Sequence, residues 1–436
     1  MIPRHRPPFN VIDLATVLLR GTTETTTVEQ VEAAFAEACG CPFAILLPSA
    51  RAGICWALRA AVGQETLTVG PAYTCQVVHE AIARSSRNFH FVDSEPNGFL
   101  IDLHSLDRIQ NHDYALVLSE VYGHSYLRAS ISELPATGLR VRVVDAAMTI
   151  PTFAAFQNLE RTDFAVTSFG LGKSMYAGWG GIGFTKDENL AVEVKARRSF
   201  LLRNESLPQL FCAWVEIMVR TIAHERPIYG FASKFRKPPQ DHHTFPSEWS
   251  GDRNLSKEWL SPPTLVHRSL AQRNLERALF FYQKRIELAH CYEKNLAGVE
   301  RISLPPPSTQ ALSHYTIRVG PGVRAALQFA LRKRGIDAGA LFRWPAYLSP
   351  AEYTNGSRIA SEVLNLPLDP CLTVEDVDHV CGSLIACMIE LCRKGKEPGS
   401  NATTQEAGNE DLHQVAKDSS RKDCILPAHK AQNPAS

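Results

Sequence analysis

Short apolar runs that recur at intervals of roughly 25 residues constrain the fold of this chain more than any other feature. The segments between them are long enough for crossover connections. This spacing is typical of a parallel sheet that is buried on both faces. The runs are FAILLPS, LTVGPAY, NFHFVDSEP, YALVLSEVYG, LRVRVVDAA and DFAVTSFG. The sequence therefore predicts an α/β fold with a mostly parallel sheet.

The remaining segments predict the domain organisation. A single helix is expected from about Pro263 to Leu296, followed by a smaller α/β unit that closes with VEDVDHVCGSLIACMIELC. A polar, proline-rich stretch suggests an insertion, and the polar C-terminal stretch suggests disorder. We expect an N-terminal arm (1–26), a large domain (27–285, with the insertion at about 200–255), a small C-terminal domain (286–394) and a disordered tail (395–436).

The charge balance points to a small organic ligand. Lys and Arg number 46 and Asp and Glu 45, whereas nucleic acids and anionic membranes require a clustered positive excess. The N-terminus has no apolar core of a signal peptide. The most apolar helical stretch, Leu207 to Ile222, is too short for a membrane span and is interrupted by Glu216 and Arg220. We expect it to be a buried or interface helix.

The cysteines favour a reducing compartment. The eleven cysteines contain no CxxC pair, which is typical of reduced thiols in a cytoplasmic protein. Cys39 and Cys41 form the only close pair, and no second pair with zinc-finger spacing follows. No metal site is therefore predicted.

The first candidate site follows the run FAILL, where Pro48-Ser49-Ala50-Arg51-Ala52-Gly53 opens a helix. The first turn of a helix presents backbone N–H groups and a partial positive charge, which suit a phosphate. Small residues such as Ala52 let the phosphate approach the backbone. A plain helix start capped by Ser49 is the alternative.

Asp145 ends the run VRVVD and is followed by Ala146 and Ala147. A carboxylate at the end of a buried strand must be paired or hydrogen-bonded, because its isolated burial is costly. A protonated pyridine nitrogen would be a suitable partner, and pyridoxal 5′-phosphate (PLP) requires that protonation to act as an electron sink. Ala147 could pack flat under such a ring. A structural cap on the following loop is the alternative.

Lys173 lies in the glycine-rich turn SFGLGKS after another buried strand, 28 residues beyond Asp145. Partial loss of hydration there would make its amine a competent nucleophile. The separation is about one strand-crossover unit, so the acid and the amine are expected across one crevice at the carboxyl ends of adjacent strands. The alternative is a surface lysine in a flexible loop.

Three further patterns carry less weight. Tyr73, in PAYTC after LTVG, could stack on a planar cofactor or belong to the core. GKS at 172–174 resembles the end of a P-loop, but Thr167 stands where the first glycine is required. GWGGIG at 178–183 matches a dinucleotide motif, but it precedes an apparent strand instead of opening a helix.

Taken together, these residues resemble the DegT/DnrJ/EryC1/StrS aminotransferase family over roughly Val28 to Cys392. SFGLGKSMYAGWGGIGFT (168–185) is similar to the family's S-F-x-x-x-K followed by G-x-G-G, and VVDAA (143–147) to its E-D-A-A. The proline-aromatic turn begins VGPAYTCQVVHEAIARSSRNFHFVDSEPNGFLID (69–102). EVYGH (120–124) corresponds to L-Y-G, and VLNLPLDPCLTVEDVDHV (363–380) to the closing L-P-L-x-P motif.

The resemblance implies a PLP-dependent enzyme of fold type I with a Schiff base at Lys173 and a salt bridge from Asp145 to the pyridinium. Ser168 and the backbone around Arg51 and Ala52 would hold the phosphate, and Ala147 would lie against the ring. The family also implies a homodimer with sites at the subunit interface. Glutamate is the implied amino donor and a nucleotide-linked keto-sugar the implied acceptor.

Four positions depart from the family pattern. Met148 replaces the glutamine or histidine after D-A-A, and Cys75 replaces the stacking aromatic, for which Tyr73 is the candidate substitute. Ala50-Arg51 replaces glycine-threonine in the phosphate turn, and the asparagine motif expected near residues 260–263 is absent. The family's residues for cofactor binding are retained, whereas its residues on the substrate side of the site are changed. A PLP enzyme acting on a non-sugar substrate, a cofactor-binding sensor or scaffold, and an NTPase therefore remain alternatives.

Overall fold

The computed structural model describes residues 1–21, 26–109, 113–126, 137–152, 155–199, 205–232, 255, 259–307 and 310–394. About half of the predicted insertion and the whole predicted tail lie outside these ranges. The chain divides into two compact units, Met1–Leu391 and Cys392–Ser436. All elements below belong to the first unit, except the last residues of the final helix. The predicted domain limits at 26, 285 and 394 stay predictions.

A seven-stranded sheet forms the centre of the fold. Its strands are β1 (Phe43–Leu47), β2 (Leu67–Pro71), β3 (Phe89–Val92), β4 (Tyr114–Ser119), β5 (Leu139–Asp145), β6 (Asp163–Ser168) and β7 (Gly181–Thr185). Their order is β1-β7-β6-β5-β4-β2-β3. All pairings are parallel except those of β7, which runs antiparallel to both β1 and β6. The predicted mostly parallel α/β sheet is confirmed.

Helices accompany both sheets of the structure. They are α1 (Val11–Gly21), α2 (Val28–Cys39), α3 (Ala50–Ala61), α4 (Gln76–Ser85), α5 (Glu188–Ser199), α6 (Leu207–Ala223), α7 (Arg226–Ala232), α8 (Leu265–Glu276), α9 (Ala278–Leu296), α10 (Arg324–Lys333), α11 (Thr354–Glu362) and α12 (Val374–Lys394). None of the helices in the described ranges is both long and apolar enough to cross a membrane.

The large sheet is buried on both faces, as its continuous apolar strands require. Successive residues of β5 show this arrangement: Val143 packs into a core with α3 and α4, whereas Val144 packs into a core with α2 and α8. Because side chains alternate along a strand, one apolar run supplies both cores.

A second, antiparallel sheet follows in the C-terminal part. It contains β8 (Ile302–Ser303), β9 (Tyr315–Val319) and β10 (Val363–Leu366) in the order β10-β9-β8. Its apolar side chains form a core of their own with α9, α10 and α12.

The prediction of a single helix from Pro263 to Leu296 is wrong. The structure has two helices, α8 and α9, separated at Arg277, where φ is −99° and ψ is 0°. The Arg277 side chain donates to the carbonyl of Pro8 and lies 3.6 Å from the carboxylate of Asp13. No glycine or proline marks this break, so the sequence contained no local signal for it.

Candidate active site

Several strands of the large sheet end at one edge, and the candidate residues follow them. Ser119 and Asp145 are register partners at the ends of β4 and β5, and Asp145 also pairs with Val166, near the end of β6. Because β7 is antiparallel, its first residue, Gly181, lies at the same edge beside Ser168. In parallel α/β sheets, this edge is where ligands bind.

The carboxylate of Asp145 is held by hydrogen bonds. It accepts one from the backbone N–H of Ala147 at 3.2 Å and one from the hydroxyl of Ser119. Burial raises the pKa of Asp145, while the charge of Lys173 and these two donors oppose that rise. The structure therefore brings Asp145 and Lys173 within electrostatic reach of each other.

A second hydrogen bond extends this support. The hydroxyl of Thr74, in the turn after β2, donates to the hydroxyl of Ser119 at 2.9 Å, and both side chains are buried. A series of hydrogen bonds, Thr74–Ser119–Asp145, thus connects the ends of β2, β4 and β5. Because the Ser119 hydroxyl accepts from Thr74, its single proton is directed to the carboxylate of Asp145. This bond fixes the orientation of the carboxylate.

Lys173 lies half-buried in a tight turn after β6. Its backbone N–H donates to the carbonyl of Gly170 at 3.2 Å, and Gly172 has a φ of 80°, which an L-residue rarely adopts. The next residue, Ser174, donates its hydroxyl to the carbonyl of Met148 at 2.7 Å. This bond fastens the lysine-bearing turn to the segment that follows Asp145.

The predicted phosphate turn lies at the same edge. Ser49 caps α3 by accepting from the backbone N–H of Ala52 at 3.2 Å, and Ser168 accepts from that of Gly170 at 3.3 Å. The Arg51 guanidinium lies over the rings of Trp179 and Trp259, 5.9 and 5.4 Å from their centroids.

Gly181 is where β7 approaches this turn most closely. A Cβ built on Gly181 would lie 2.5 Å from the carbonyl oxygen of Thr167 and 3.2 Å from the backbone nitrogen of Ala50. Both neighbours are backbone atoms, so the main chain itself would have to move. We expect Gly181→Ala to lower the free energy of unfolding by about 1–3 kcal/mol, measured by urea denaturation.

Gly382→Ala is the matched control for this substitution. Gly382 lies in α12, and a Cβ there would meet nothing within 4 Å. Alanine stabilises a helix more than glycine does, so we expect Gly382→Ala to raise the free energy of unfolding by about 0.5–1 kcal/mol. Wild-type stability of Gly181→Ala would contradict the close approach.

Tyr73 and Met148 belong to an aromatic cluster beside Asp145, which also contains Phe99, Tyr122 and Phe342. The hydroxyls of Tyr73 and Tyr122 are 2.6 Å apart, and the ring of Tyr73 meets that of Phe342 edge-on. Tyr73 is therefore a core residue in this structure. Its stacking on a cofactor stays a prediction.

Tyr122 has an unusual backbone. Its φ is 59° and its ψ 9°, a left-handed conformation that costs on the order of 1 kcal/mol for a non-glycine residue. The backbone N–H of Ser313 donates to its carbonyl at 2.8 Å and holds it there. Strain of this kind is common at functional sites.

His314, in the C-terminal part of the chain, lies within electrostatic reach of Lys173. It is 1% exposed, its Nδ1 lies 3.1 Å from the Ser313 hydroxyl, and its Nε2 has no hydrogen-bond partner among the described residues. Burial lowers its pKa well below the usual value, and the charges of His5, Arg4, Arg285 and Lys173 add to this effect. His314 is therefore neutral near pH 7.

Sequence reasoning missed Ser119, Thr74 and His314. Ser119 ends the apolar run YALVLS, so the same search of strand ends that selected Asp145 could have found it. Thr74 lies in PAYTC, the turn after a strand end that drew attention to Tyr73, so the same search could have found it as well. His314 precedes β9 and carries no such signal.

The arrangement fits PLP. The partly buried carboxylate of Asp145 would be stabilised by a cationic partner, which a protonated pyridine nitrogen would supply. Lys173 supplies an amine nearby, and the start of α3 with Ser168 supplies donors for a phosphate. Among the described residues, no cluster of three or more His, Cys, Asp or Glu side chains could hold a metal ion.

Comparison with known families gives one match. The model described as the DegT/DnrJ/EryC1/StrS aminotransferase family matches residues 13–213 and 265–385. The matched ranges contain every residue that the sequence assigned to the site.

Solved structures share the fold. PseC from Helicobacter pylori, an aminotransferase involved in the biosynthesis of pseudoaminic acid, is 15% identical with a TM-score of 0.66, covering 89% of this chain and 99% of its own. The sugar aminotransferase CalS13 from Micromonospora echinospora is 19% identical with a TM-score of 0.64, covering 88% and 100%. NtdA from Bacillus subtilis, solved with bound cofactor PMP, is 18% identical with a TM-score of 0.64, covering 89% and 84%.

Proposed function

The chain belongs to the DegT/DnrJ/EryC1/StrS aminotransferase family, and from this premise we propose that it transfers an amino group from L-glutamate to the keto group of a nucleotide-linked sugar. It is a PLP-dependent aminotransferase of fold type I. The observation that carries the proposal is that Asp145, at the end of β5, lies within electrostatic reach of Lys173, in the turn after the neighbouring strand β6.

In this proposal, Asp145 keeps a proton on the pyridine nitrogen, and Ser119 and Ala147 keep Asp145 in place. The bound cofactor supplies an electron sink. Lys173 binds the cofactor through its amine, and as a free amine it moves the proton of the donor's α-carbon as general base and acid. Ser168 and the backbone at Arg51 and Ala52 hold the phosphate, and Ala147 lies against the ring.

A cavity of about 750 Å³ supports a nucleotide-linked acceptor. Its lining includes Arg324, Arg343, Arg358 and Trp344, which suit phosphates and an aromatic base. Burial lowers the pKa of Arg324, and the nearby charge of Arg343 lowers it further.

Two further observations connect this cavity with the site. The acidic residue that lines the cavity, Glu362, forms an ion pair with Arg318 at 2.7 Å. The negative charge of Glu362 is therefore balanced and does not oppose a phosphate. The inner wall of the cavity shares Ala340 and Ala360 with the aromatic cluster that contains Met148. A phosphate-bearing acceptor in this cavity would thus lie against the cluster beside Asp145.

A homodimer is part of the proposal. Helix α6 presents an exposed apolar face at helical spacing, formed by Leu207, Phe211, Val219 and Ile222, which are 81%, 64%, 59% and 37% exposed. A second copy of the chain is the partner that the family implies. A cytoplasmic location is also proposed, because the eleven cysteines include no CxxC pair.

A half-reaction tests the donor. We expect the visible absorbance of the yellow holoenzyme to fall on mixing with L-glutamate. One 2-oxoglutarate should form for each subunit that bleaches, because transfer leaves the amino group on the enzyme. Absorbance spectroscopy and an enzymatic 2-oxoglutarate assay measure both quantities.

D-glutamate is the matched control and should not bleach the enzyme. Addition of a nucleotide-linked keto-sugar to the bleached enzyme should restore the absorbance. Recovery only with a non-sugar ketone would replace the proposed acceptor. Absence of bleaching with every common amino acid would reject transamination and favour a sensor or scaffold.

A further inference from the structure

Arg4, in the N-terminal arm, is a buried cation without a counter-ion. Its side chain is 8% exposed, its Nε has no hydrogen-bond partner, and it forms no ion pair within the described part of the chain. Burial of a charge without a partner is costly. Arg6, two residues along, differs because it pairs with Glu225. The Arg4 guanidinium is therefore available to bind an anionic ligand.

The backbone of the arm is fixed. The N–H of Ile2 donates to the carbonyl of Gly335 at 2.7 Å, and its own carbonyl accepts from the N–H of Asp337 at 2.9 Å. Together with the Arg6–Glu225 pair, these bonds hold the arm on both sides of Arg4. The guanidinium is thus positioned before any ligand arrives, which lowers the entropic cost of binding.

The guanidinium fills the space beside a glycine. A Cβ on Gly339 would lie 2.7 Å from Nη1 of Arg4 and 3.0 Å from Nε2 of Gln328. A side chain at position 339 would displace the arginine. The absence of a side chain at Gly339 leaves room for Arg4 between the arm and α10.

Arg4 and Lys173 both lie near His314. The charges of Arg4 and Lys173 both lower the pKa of His314, so both lie within electrostatic reach of that ring. His5 connects the two as well. Its ring would lie 3.6 Å from a Cβ on Gly172, next to Lys173, and 6.3 Å from the centroid of His314.

The charge balance of this crevice favours an anion. Arg4 carries a positive charge, and His314 is neutral near pH 7 because burial lowers its pKa. Asp145 is committed to the cofactor in the proposed function. The buried Arg285 also has its partners, since it donates to the carbonyls of Leu312, Ser313 and Leu368. The charge of Arg4 is left to be neutralised by a ligand.

We propose that Arg4 binds a carboxylate of the amino-acid donor and thereby presents the donor's amino group to the crevice of Lys173. This proposal rests on the proposed aminotransferase function. A guanidinium binds a carboxylate with two parallel hydrogen bonds, so it sets orientation as well as affinity.

Binding of maleate, an unreactive dicarboxylate, to the holoenzyme tests the proposal by calorimetry. We expect Arg4→Gln to raise the dissociation constant about 10- to 100-fold, the usual effect of losing charge-assisted hydrogen bonds. The dissociation constant of Arg4→Lys should lie between those of the wild type and Arg4→Gln, because lysine keeps the positive charge but cannot form the two parallel hydrogen bonds of a guanidinium. The visible absorbance and melting temperature of each variant show that cofactor and fold are retained.

Arg140→Gln is the matched control, since it removes an exposed cation at the opposite edge of the sheet, where Arg140 pairs with Asp113 at 2.5 Å, and should change the maleate dissociation constant less than twofold. Unchanged maleate binding in Arg4→Gln, or no maleate binding by the wild type, would overturn the proposal. So would an effect of Arg4→Gln on inorganic pyrophosphate but not on maleate, because Arg4 would then serve a phosphate.

The amino acids that bleach the wild type identify which carboxylate binds. If Arg4 holds the α-carboxylate, Arg4→Gln weakens L-alanine and L-glutamate alike. If it holds the side-chain carboxylate, only L-glutamate is weakened. The maleate measurement needs no amino transfer, so failure of the proposed function would appear separately, as a wild type that no amino acid bleaches.

Discussion

Lys173→Ala is expected to remove the visible absorbance of the purified protein and to reduce amino transfer from L-glutamate by about 10²–10⁴-fold. In the proposed mechanism this amine both binds the cofactor and moves the proton. Alanine can do neither. Absorbance spectra and 2-oxoglutarate release measure the two losses independently.

Lys186→Ala is the matched control for this substitution. Lys186 follows β7 at the opposite edge of the sheet, where its Nζ donates to the carbonyl of Gln157 at 2.6 Å. We expect wild-type absorbance and transfer in this variant. If Lys173→Ala kept the visible band and the activity, another lysine would be the cofactor-binding residue.

Asp145→Asn is expected to slow the half-reaction on the order of 10²–10³-fold while the protein stays yellow. The amide is nearly isosteric and can still accept hydrogen bonds from Ser119 and Ala147. It lacks the negative charge that keeps the pyridine nitrogen protonated, and it leaves Lys173 in place. Stopped-flow absorbance with L-glutamate measures the rate.

Asp187→Asn separates this effect from a general effect of losing a carboxylate. Asp187 follows β7 and accepts from the backbone N–H of Leu190 at 2.8 Å at the start of α5. Asparagine caps a helix about as well as aspartate, so the rate and stability should stay at wild-type values. A wild-type rate in Asp145→Asn would exclude the charge from the mechanism.

Asp145 and Lys173, which the sequence predicts for the cofactor site, share a position in the fold. Each follows a buried apolar strand, and a strand end in a parallel sheet has a predictable position. Ser119 obeys the same rule and was missed only because it is neither charged nor nucleophilic by itself. Tyr73 shows the limit of the rule, since its strand end was recognised but the sequence left open whether the ring stacks on a cofactor or belongs to the core, and the structure buries it with Tyr122.

The break at Arg277 illustrates a second limit. Residues 263–296 have continuous helical character, and their division depends on contacts of Arg277 with Pro8 and Asp13. These partners lie more than 260 residues earlier in the chain. A local pattern contains no information about them.

The sequence by itself determined the mostly parallel α/β sheet, the family, and the strand ends that carry Asp145 and Lys173, because apolar periodicity and strand termini are local properties. Only the tertiary structure decided which groups surround them. The Thr74–Ser119–Asp145 series of hydrogen bonds depends on β4 lying between β2 and β5. Arg4 and Lys173 both come within electrostatic reach of His314 because the arm packs against the C-terminal part, and such long-range packing follows from the burial of the whole chain.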